Sequence, residues 1–137
     1  MPSRLRMATL YGIAALNGNA RISCNGNFSE RLAGYFTLWG DGAGDFAPLA
    51  HLFVDEVVQL GIDLGLPKDL CVKAPSDGMS GKTDEDNLGF TYDELKKVYL
   101  GNTEEIAEER VVKIQNRIKA LEFKRKLLNI PCFIPER

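Results

Sequence analysis

The stretch Gly26-Asn-Phe-Ser-Glu-Arg-Leu-Ala-Gly-Tyr-Phe-Thr-Leu-Trp-Gly-Asp-Gly-Ala-Gly-Asp45, followed by Phe46-Ala-Pro48-Leu49, carries most of what this sequence says about its fold. It sets Glu30 just after an expected strand end and Asp41 and Asp45 in a glycine-rich loop. Glycines 40, 42 and 44 leave the backbone free to take φ > 0 and to approach a ligand closely. Carboxylates beside such a loop suit a bound cation or the hydroxyls of a nucleotide sugar. The same residues also build an ordinary solvated turn, because Gly and Asp are the common turn formers. Asn27-x-x-Glu30 is in addition a helix capping box, which competes with any metal role for Glu30.

Outward from this stretch, helices alternate with short apolar runs. Ser3 to about Leu16 reads as a helix with Leu5, Leu10, Ile13 and Leu16 on its apolar side, ended by Asn17-Gly18-Asn19. Its first-turn arginines oppose the helix dipole, as expected beside an anion or in open solvent. Residues 20–24 form a strand candidate, Asn27 caps a helix to about Leu38, and Phe46–Leu49 is a second strand candidate. Phe53 to Leu64 is a helix stopped by Gly65 and Pro67. Ser76 to Gly89 reads as a mobile loop of the kind that is functional or disordered in compact domains. Thr91-x-x-Glu94 opens a helix that Gly101 ends. Thr103 then caps a last helix to about Leu128. The alternation predicts an α/β layer with parallel strands. Two strands do not make a covered parallel sheet, so its open edge needs a partner.

The 137 residues suffice for one domain, taken here as 1–137. A net charge of −2 gives no general attraction to nucleic acid or to an anionic membrane surface. No apolar run approaches the roughly 20 residues of a membrane helix. Cys24, Cys71 and Cys132 are far apart and His51 is the one histidine, which argues against a zinc site and for a reducing compartment. Acidic residues 104, 105, 108 and 109 open the expected last helix and Lys119, Lys124, Arg125 and Lys126 close it, a polarity that complements the helix dipole.

The opening stretch resembles a segment of the ammonia-dependent NAD synthetases, whose pattern runs Gly-Asn-x-Ser-Glu-x-x-x-Gly-Tyr-x-Thr-x-x-Gly-Asp-Gly. Two further blocks match in order. Arg4-Leu-Arg6-Met7 with Leu10-Tyr11 is similar to the helix before it. Lys73-Ala-Pro-Ser-Asp77 with Gly81-Lys-Thr-Asp-Glu-Asp-Asn-Leu-Gly-Phe-Thr-Tyr-Asp-Glu94 is similar to that family's second nucleotide-site loop. Three ordered blocks are far more specific than a lone glycine motif. They make the chain resemble the C-terminal half of a synthetase, in an adenine-nucleotide alpha-hydrolase-like (ATP-pyrophosphatase) fold. The family's Ser-Gly-Gly-x-Asp-Ser pyrophosphate loop is expected upstream of Met1.

The resemblance implies ATP-dependent amidation of nicotinic acid adenine dinucleotide by ammonia, with Mg²⁺ and with ATP as co-substrate. It implies a cytoplasmic homodimer formed through the first and last helices, which binds neither nucleic acid nor membrane. Residue by residue, it gives Arg4, Asp45 and Lys124 to the dinucleotide, Asn25 and Ser76 to ATP, and Glu30 to the metal. Four positions depart from the family pattern. Asn25 replaces a Thr, Leu38 a dinucleotide-binding Lys, Val54 an ATP-binding Lys, and Phe123 the His of a His-Lys pair. With the pyrophosphate loop outside this sequence, these departures predict that the chain alone is inactive. The alternative is a non-catalytic dimerisation or dinucleotide-binding module. GMP and asparagine synthetases, which share the pyrophosphatase chemistry, lack the Gly-Tyr-Phe-Thr and Lys-Thr-Asp-Glu-Asp blocks.

Overall fold

A computed structural model describes residues 2–76, 81–127 and 133–135. Its core is built on short helices whose ends are fixed by local side-chain bonds. Helix α1 spans Pro2–Leu16 and α2 spans Phe28–Ala33; α3 (Val54–Asp63) and α4 (Lys68–Cys71) form a pair. Helices α5 (Asp84–Leu88), α6 (Tyr92–Leu100), α7 (Glu108–Ala120) and α8 (Glu122–Leu127) follow. Helix α2 packs against α6, α7 and α8. Leu32, Ala33, Phe53, Leu88, Phe90, Tyr92, Leu95, Val98 and Ile114 form the main buried cluster. Phe28 tightens it, meeting Phe53 and Tyr99 edge-on at 5.0 and 5.3 Å between ring centroids.

Two capping boxes behave as the sequence predicts. The side chain of Asn27 accepts from Glu30 N while Glu30 Oε2 accepts from Asn27 N, each at 2.9 Å. Thr91 and Glu94 do the same for α6. Gly34 and Gly101 end α2 and α6 in the left-handed region, with φ of 63° and 85°.

Other expectations need correction. The helix capped by Asn27 stops at Ala33 rather than Leu38, because Gly34 turns the chain left-handed. The expected strands at 20–24 and 46–49 reduce, among the described residues, to one parallel bridge between Ser23 and Phe46. Its bonds are Cys24 N to Phe46 O at 2.9 Å and Asp45 N to Ile22 O at 2.7 Å. Two segments this short have no neighbours with which to extend a ladder, so the parallel sheet layer is not built here. Residues 84–88 of the expected mobile loop are helical, started by a third capping box between Thr83 and Asp86; Asp77 and residues 78–80 lie outside the described residues. The last helix starts at Glu108, not after Thr103, since Ala107 is extended. It breaks at Leu121 into α7 and α8, and its expected end at Leu128 lies outside the described residues.

Helix α1 buries only Ala14, and its Leu5, Leu10, Ile13 and Leu16 are exposed. Among the described residues, no helix is long and apolar enough to cross a membrane.

Candidate functional site

An open cleft of about 700 Å³ lies between the N-terminal end of α1, the 22–26 segment, α2, the glycine-rich loop and α7–α8. Close backbone contacts shape it. A Cβ on Gly40 would sit 2.9 Å from the Ser3 side chain, and one on Gly44 would sit 2.7 Å from both Cβ and N of Cys24. Gly40 and Gly44 therefore serve close approach to Ser3 and Cys24, whereas the sequence suggested φ > 0 and approach to a ligand. The loop's left-handed residue is Trp39, at φ 60°. Asp41 holds the loop by accepting from Thr37 N at 3.1 Å.

One wall of the cleft is acidic. Glu30 is half-buried there, and its pKa is pushed from 4.5 to about 7. Burial is the main cause; the bond from Asn27 opposes it, and the charges of Asp84 and Asp41 add to it. Asp84 is itself buried, with Tyr92 Oη donating to its Oδ2 at 3.0 Å. Burial and the Asp84 charge push the Tyr92 phenol far above its ordinary range.

The other wall is basic, and it is made by the end of α2. A six-residue helix leaves its last carbonyls without helical partners, and side chains from α7 and α8 reach across to take them. Arg125 Nη1 donates to Leu32 O and Arg117 Nε to Ala33 O, both at 2.9 Å. Lys124 Nζ donates to Gly34 O at 2.8 Å and to Phe36 O at 2.7 Å, lying 5.0 Å from the Phe36 ring centroid. Cations at a helix C-terminus also complement its dipole. Burial, then the Arg117 charge, lowers the Lys124 pKa, and Asp41 opposes the shift.

The cleft gathers Asn25, Glu30, Ser76 and Lys124 from the sequence-derived candidates. Asn25 Oδ1 accepts from Ser23 Oγ at 2.7 Å, and Ser76 is exposed at the mouth. Arg4 and Asp45 lie outside its lining. Arg4 is exposed, with Nε donating to Leu38 O at 3.1 Å. Asp45 accepts from Ile22 N at 2.7 Å and from the Tyr11 hydroxyl. The sequence reading missed Asp84, Arg31 and Arg117, which also line the cleft. Thr83-x-x-Asp86 would have flagged the helix that carries Asp84, whereas Arg31 and Arg117 have no local signature.

Among the described residues, no group of three or more His, Cys, Asp or Glu side chains is placed to hold a metal alone. Glu30 and Asp84 are hard oxygen donors sharing one wall, and the charge burden on Glu30 is what a divalent cation would relieve. The donor set fits Mg²⁺, which takes one or two carboxylates and completes its shell with water and substrate phosphate.

The profile of the NAD synthase family matches residues 1–128. The NH(3)-dependent NAD(+) synthetase of Pyrococcus furiosus is 38% identical over 138 residues, covering 91% of this chain and 53% of that protein. That of Finegoldia magna is 40% identical over 124 residues, covering 90% and 50%. Among solved structures, NMN synthetase from Francisella tularensis superposes with a TM-score of 0.81 at 38% identity, over 96% of this chain and 54% of that one. The NH3-dependent NAD synthetase of Campylobacter jejuni in complex with the nitrate ion gives 0.67 at 27%, over 99% and 52%. The chain spans about half the length of these relatives.

Proposed function

This chain belongs to the NAD synthase family of ligases, and on that premise we propose that it forms the nicotinate-nucleotide half of an ammonia-dependent synthetase site. The reaction would be the ATP-dependent amidation of nicotinic acid adenine dinucleotide to NAD, with a cytoplasmic location following from those substrates. The observation that carries this reading is the cleft itself. It gathers the carboxylates of Glu30 and Asp84 and the cations of Arg117 and Lys124 in one lining. Such charges of both signs suit a metal ion and a phosphate. Glu30, assisted by Asp84, would hold Mg²⁺, which neutralises phosphate charge during adenylation. Asn25 and Ser76 would meet the ATP side of the cleft, and Lys124 the dinucleotide. Arg4 and Asp45 would reach the dinucleotide from the α1 side, next to the cleft.

No Ser-Gly-Gly-x-Asp-Ser run occurs within these 137 residues, and the resemblance would put the ATP pyrophosphate cradle in the part of the relatives that this chain does not span. The 137-residue chain alone should therefore form no NAD from ATP, ammonia and nicotinic acid adenine dinucleotide. Loss of phosphate stabilisation commonly costs several powers of ten in rate. It should still bind nicotinate nucleotides weakly, and ATP hardly at all. Calorimetry on the purified chain tests this: turnover by the chain alone, or preference for ATP, would overturn the division of labour. A folded chain that binds no nicotinate nucleotide would support the non-catalytic dimerisation module instead. The exposed α1 stripe, we infer, is covered by a second copy.

A second reading concerns substrate length. The likeness to an NMN synthetase, together with Leu38 and Phe123 where the family pattern has dinucleotide-binding Lys and His, favours nicotinic acid mononucleotide. Comparing the affinities of mono- and dinucleotide separates the two.

A further inference from the structure

The geometry points to Arg117 as the residue that receives a phosphate of the nicotinate nucleotide, an assignment that rests on the reading of the cleft given above. The sequence pattern draws attention to Lys124, yet two of the three donors of its ammonium are committed to Gly34 O and Phe36 O. Arg117 stands differently. Its Nε donates to Ala33 O at 2.9 Å, which fixes the plane of the guanidinium. Its two terminal nitrogens have no acceptor among the described residues and are not buried, and the side chain lines the cleft. A guanidinium anchored at one edge and open at the other presents a preorganised fork, the geometry that takes phosphate in a bidentate manner.

The surrounding charge supports an anion here. None of Arg31, Arg117, Lys124 and Arg125 forms an ion pair with a carboxylate among the described residues. Arg31 Nη1 is buried without a hydrogen-bond partner, on the same cleft. Lys124 feels the Arg117 charge, and Arg125 feels that of Arg31. Like charges held together in a partly desolvated wall repel one another, and a bound polyanion removes that repulsion. Helix-end capping accounts for one nitrogen of Arg117 and leaves the open fork unexplained.

The test is calorimetry on the full chain with nicotinic acid mononucleotide, nicotinic acid adenine dinucleotide, nicotinic acid riboside, inorganic pyrophosphate and ATP. Arg117→Gln should weaken both nicotinate nucleotides about tenfold to a hundredfold, the usual worth of a charged hydrogen bond. It should leave the phosphate-free riboside unchanged and abolish competition by pyrophosphate. Arg117→Lys, which keeps the charge and loses the fork, should recover only part of the affinity. Arg110→Gln is the control: it removes the donor to Gly89 O, away from the cleft lining, lowers the melting temperature, and should not change nucleotide affinity. Equal weakening of nucleotide and riboside would mean that Arg117 only supports the fold, and would overturn the assignment. So would a loss confined to ATP. If the wild-type chain binds neither nicotinate nucleotide, the proposed function itself fails; if it binds both and Arg117→Gln is silent, only this inference falls.

Discussion

Leu95 and Leu16 are the same side chain on helices of the same chain, and their surroundings are opposite. Leu95, on α6, is fully buried among α2, α6 and α7, while Leu16, at the end of α1, is 88% exposed. The same contrast runs through whole regions. The α2–α5–α6–α7 nucleus brings its own partners, with Phe53, Leu95 and Ile114 closed off from solvent. Helix α1 carries an equally apolar stripe and finds almost none of it a partner. Apolar patterning specifies that a face will be buried, and the rest of the chain decides whether anything is there to bury it. In a chain that spans about half the length of its relatives, this difference separates the part that buries its own apolar face from the part that leaves it exposed.

The contrast breaks most visibly in the nucleus. Leu95→Ala should lower the unfolding free energy by about 2–5 kcal/mol, the usual cost of a large-to-small change at a fully buried site. Denaturant titration measures it, and a loss under 1 kcal/mol would mean that the nucleus is not the stable unit.

Gly34→Ala tests the join between α2 and the α7–α8 break, and should rank next. The residue sits at φ 63°, and its Cβ would come within 2.6 Å of Leu121. Left-handed strain adds about 1–2 kcal/mol, and overpacking adds about 1–3. In the double variant with Leu121→Gly, which removes the Cβ as well as the branch that meets it, the clash should be relieved and the φ penalty should remain, giving clear non-additivity.

Glu30 belongs to both worlds, capping α2 and facing the cleft, and its titration distinguishes them. Its folded pKa of about 7 lies above the ordinary 4.5. The folded state thus holds the proton more tightly than the unfolded chain, and this contribution to stability is complete below about pH 4.5. It is lost progressively as pH rises towards 7. Glu30→Gln keeps a capping side chain at N3 and removes the buried charge. In metal-free buffer it should stabilise the protein at pH 8, on the order of 1–3 kcal/mol, and change little at pH 4. Stability loss at both pH values would show that the carboxylate is purely structural.

The sequence made the nucleus legible wherever its signals were local. Asn27 with Glu30 and Thr91 with Glu94 set helix starts three residues apart, and Gly34 and Gly101 set the ends. Thr83 with Asp86 is the same signal, obscured by a Gly-, Ser- and Asp-rich setting that reads as a loop. Thr103 looked like a cap, yet three residues on stands Ile106 and not an acid or amide, and the helix waits until Glu108. The cleft was legible only in part. Arg117 meets Ala33 across 84 positions and Lys124 meets Gly34 across 90, pairings that no window of sequence contains. Arg4 and Asp45 are held by Leu38 O and by Ile22 N with Tyr11, away from the lining that gathers Glu30 and Lys124.

A smaller effect comes from the cap of α6. Thr91→Ala removes the acceptor for Glu94 N at 3.1 Å and should cost about 1 kcal/mol.

The smallest expected change in stability is on α1, and it sharpens the comparison most. Leu16→Ser alters a side chain that is already 88% exposed, so the unfolding free energy of the monomer should move by less than about 0.5 kcal/mol. Its effect should appear in association instead. Leu5, Leu10, Ile13 and Leu16 present one stripe to solvent, and a symmetric pair of such stripes is the commonest way for one surface to cover itself. Sedimentation velocity at micromolar concentration should therefore find wild-type dimers, and Ile13→Ser with Leu16→Ser should shift them to monomer with near-native secondary structure. Leu95→Ala should do the reverse, weakening the fold without acting on the α1 contact. If the wild-type chain is a monodisperse, stable monomer, the stripe is covered by something other than a second copy. The half-length relation to the relatives would then make the remaining synthetase sequence the occupant to test.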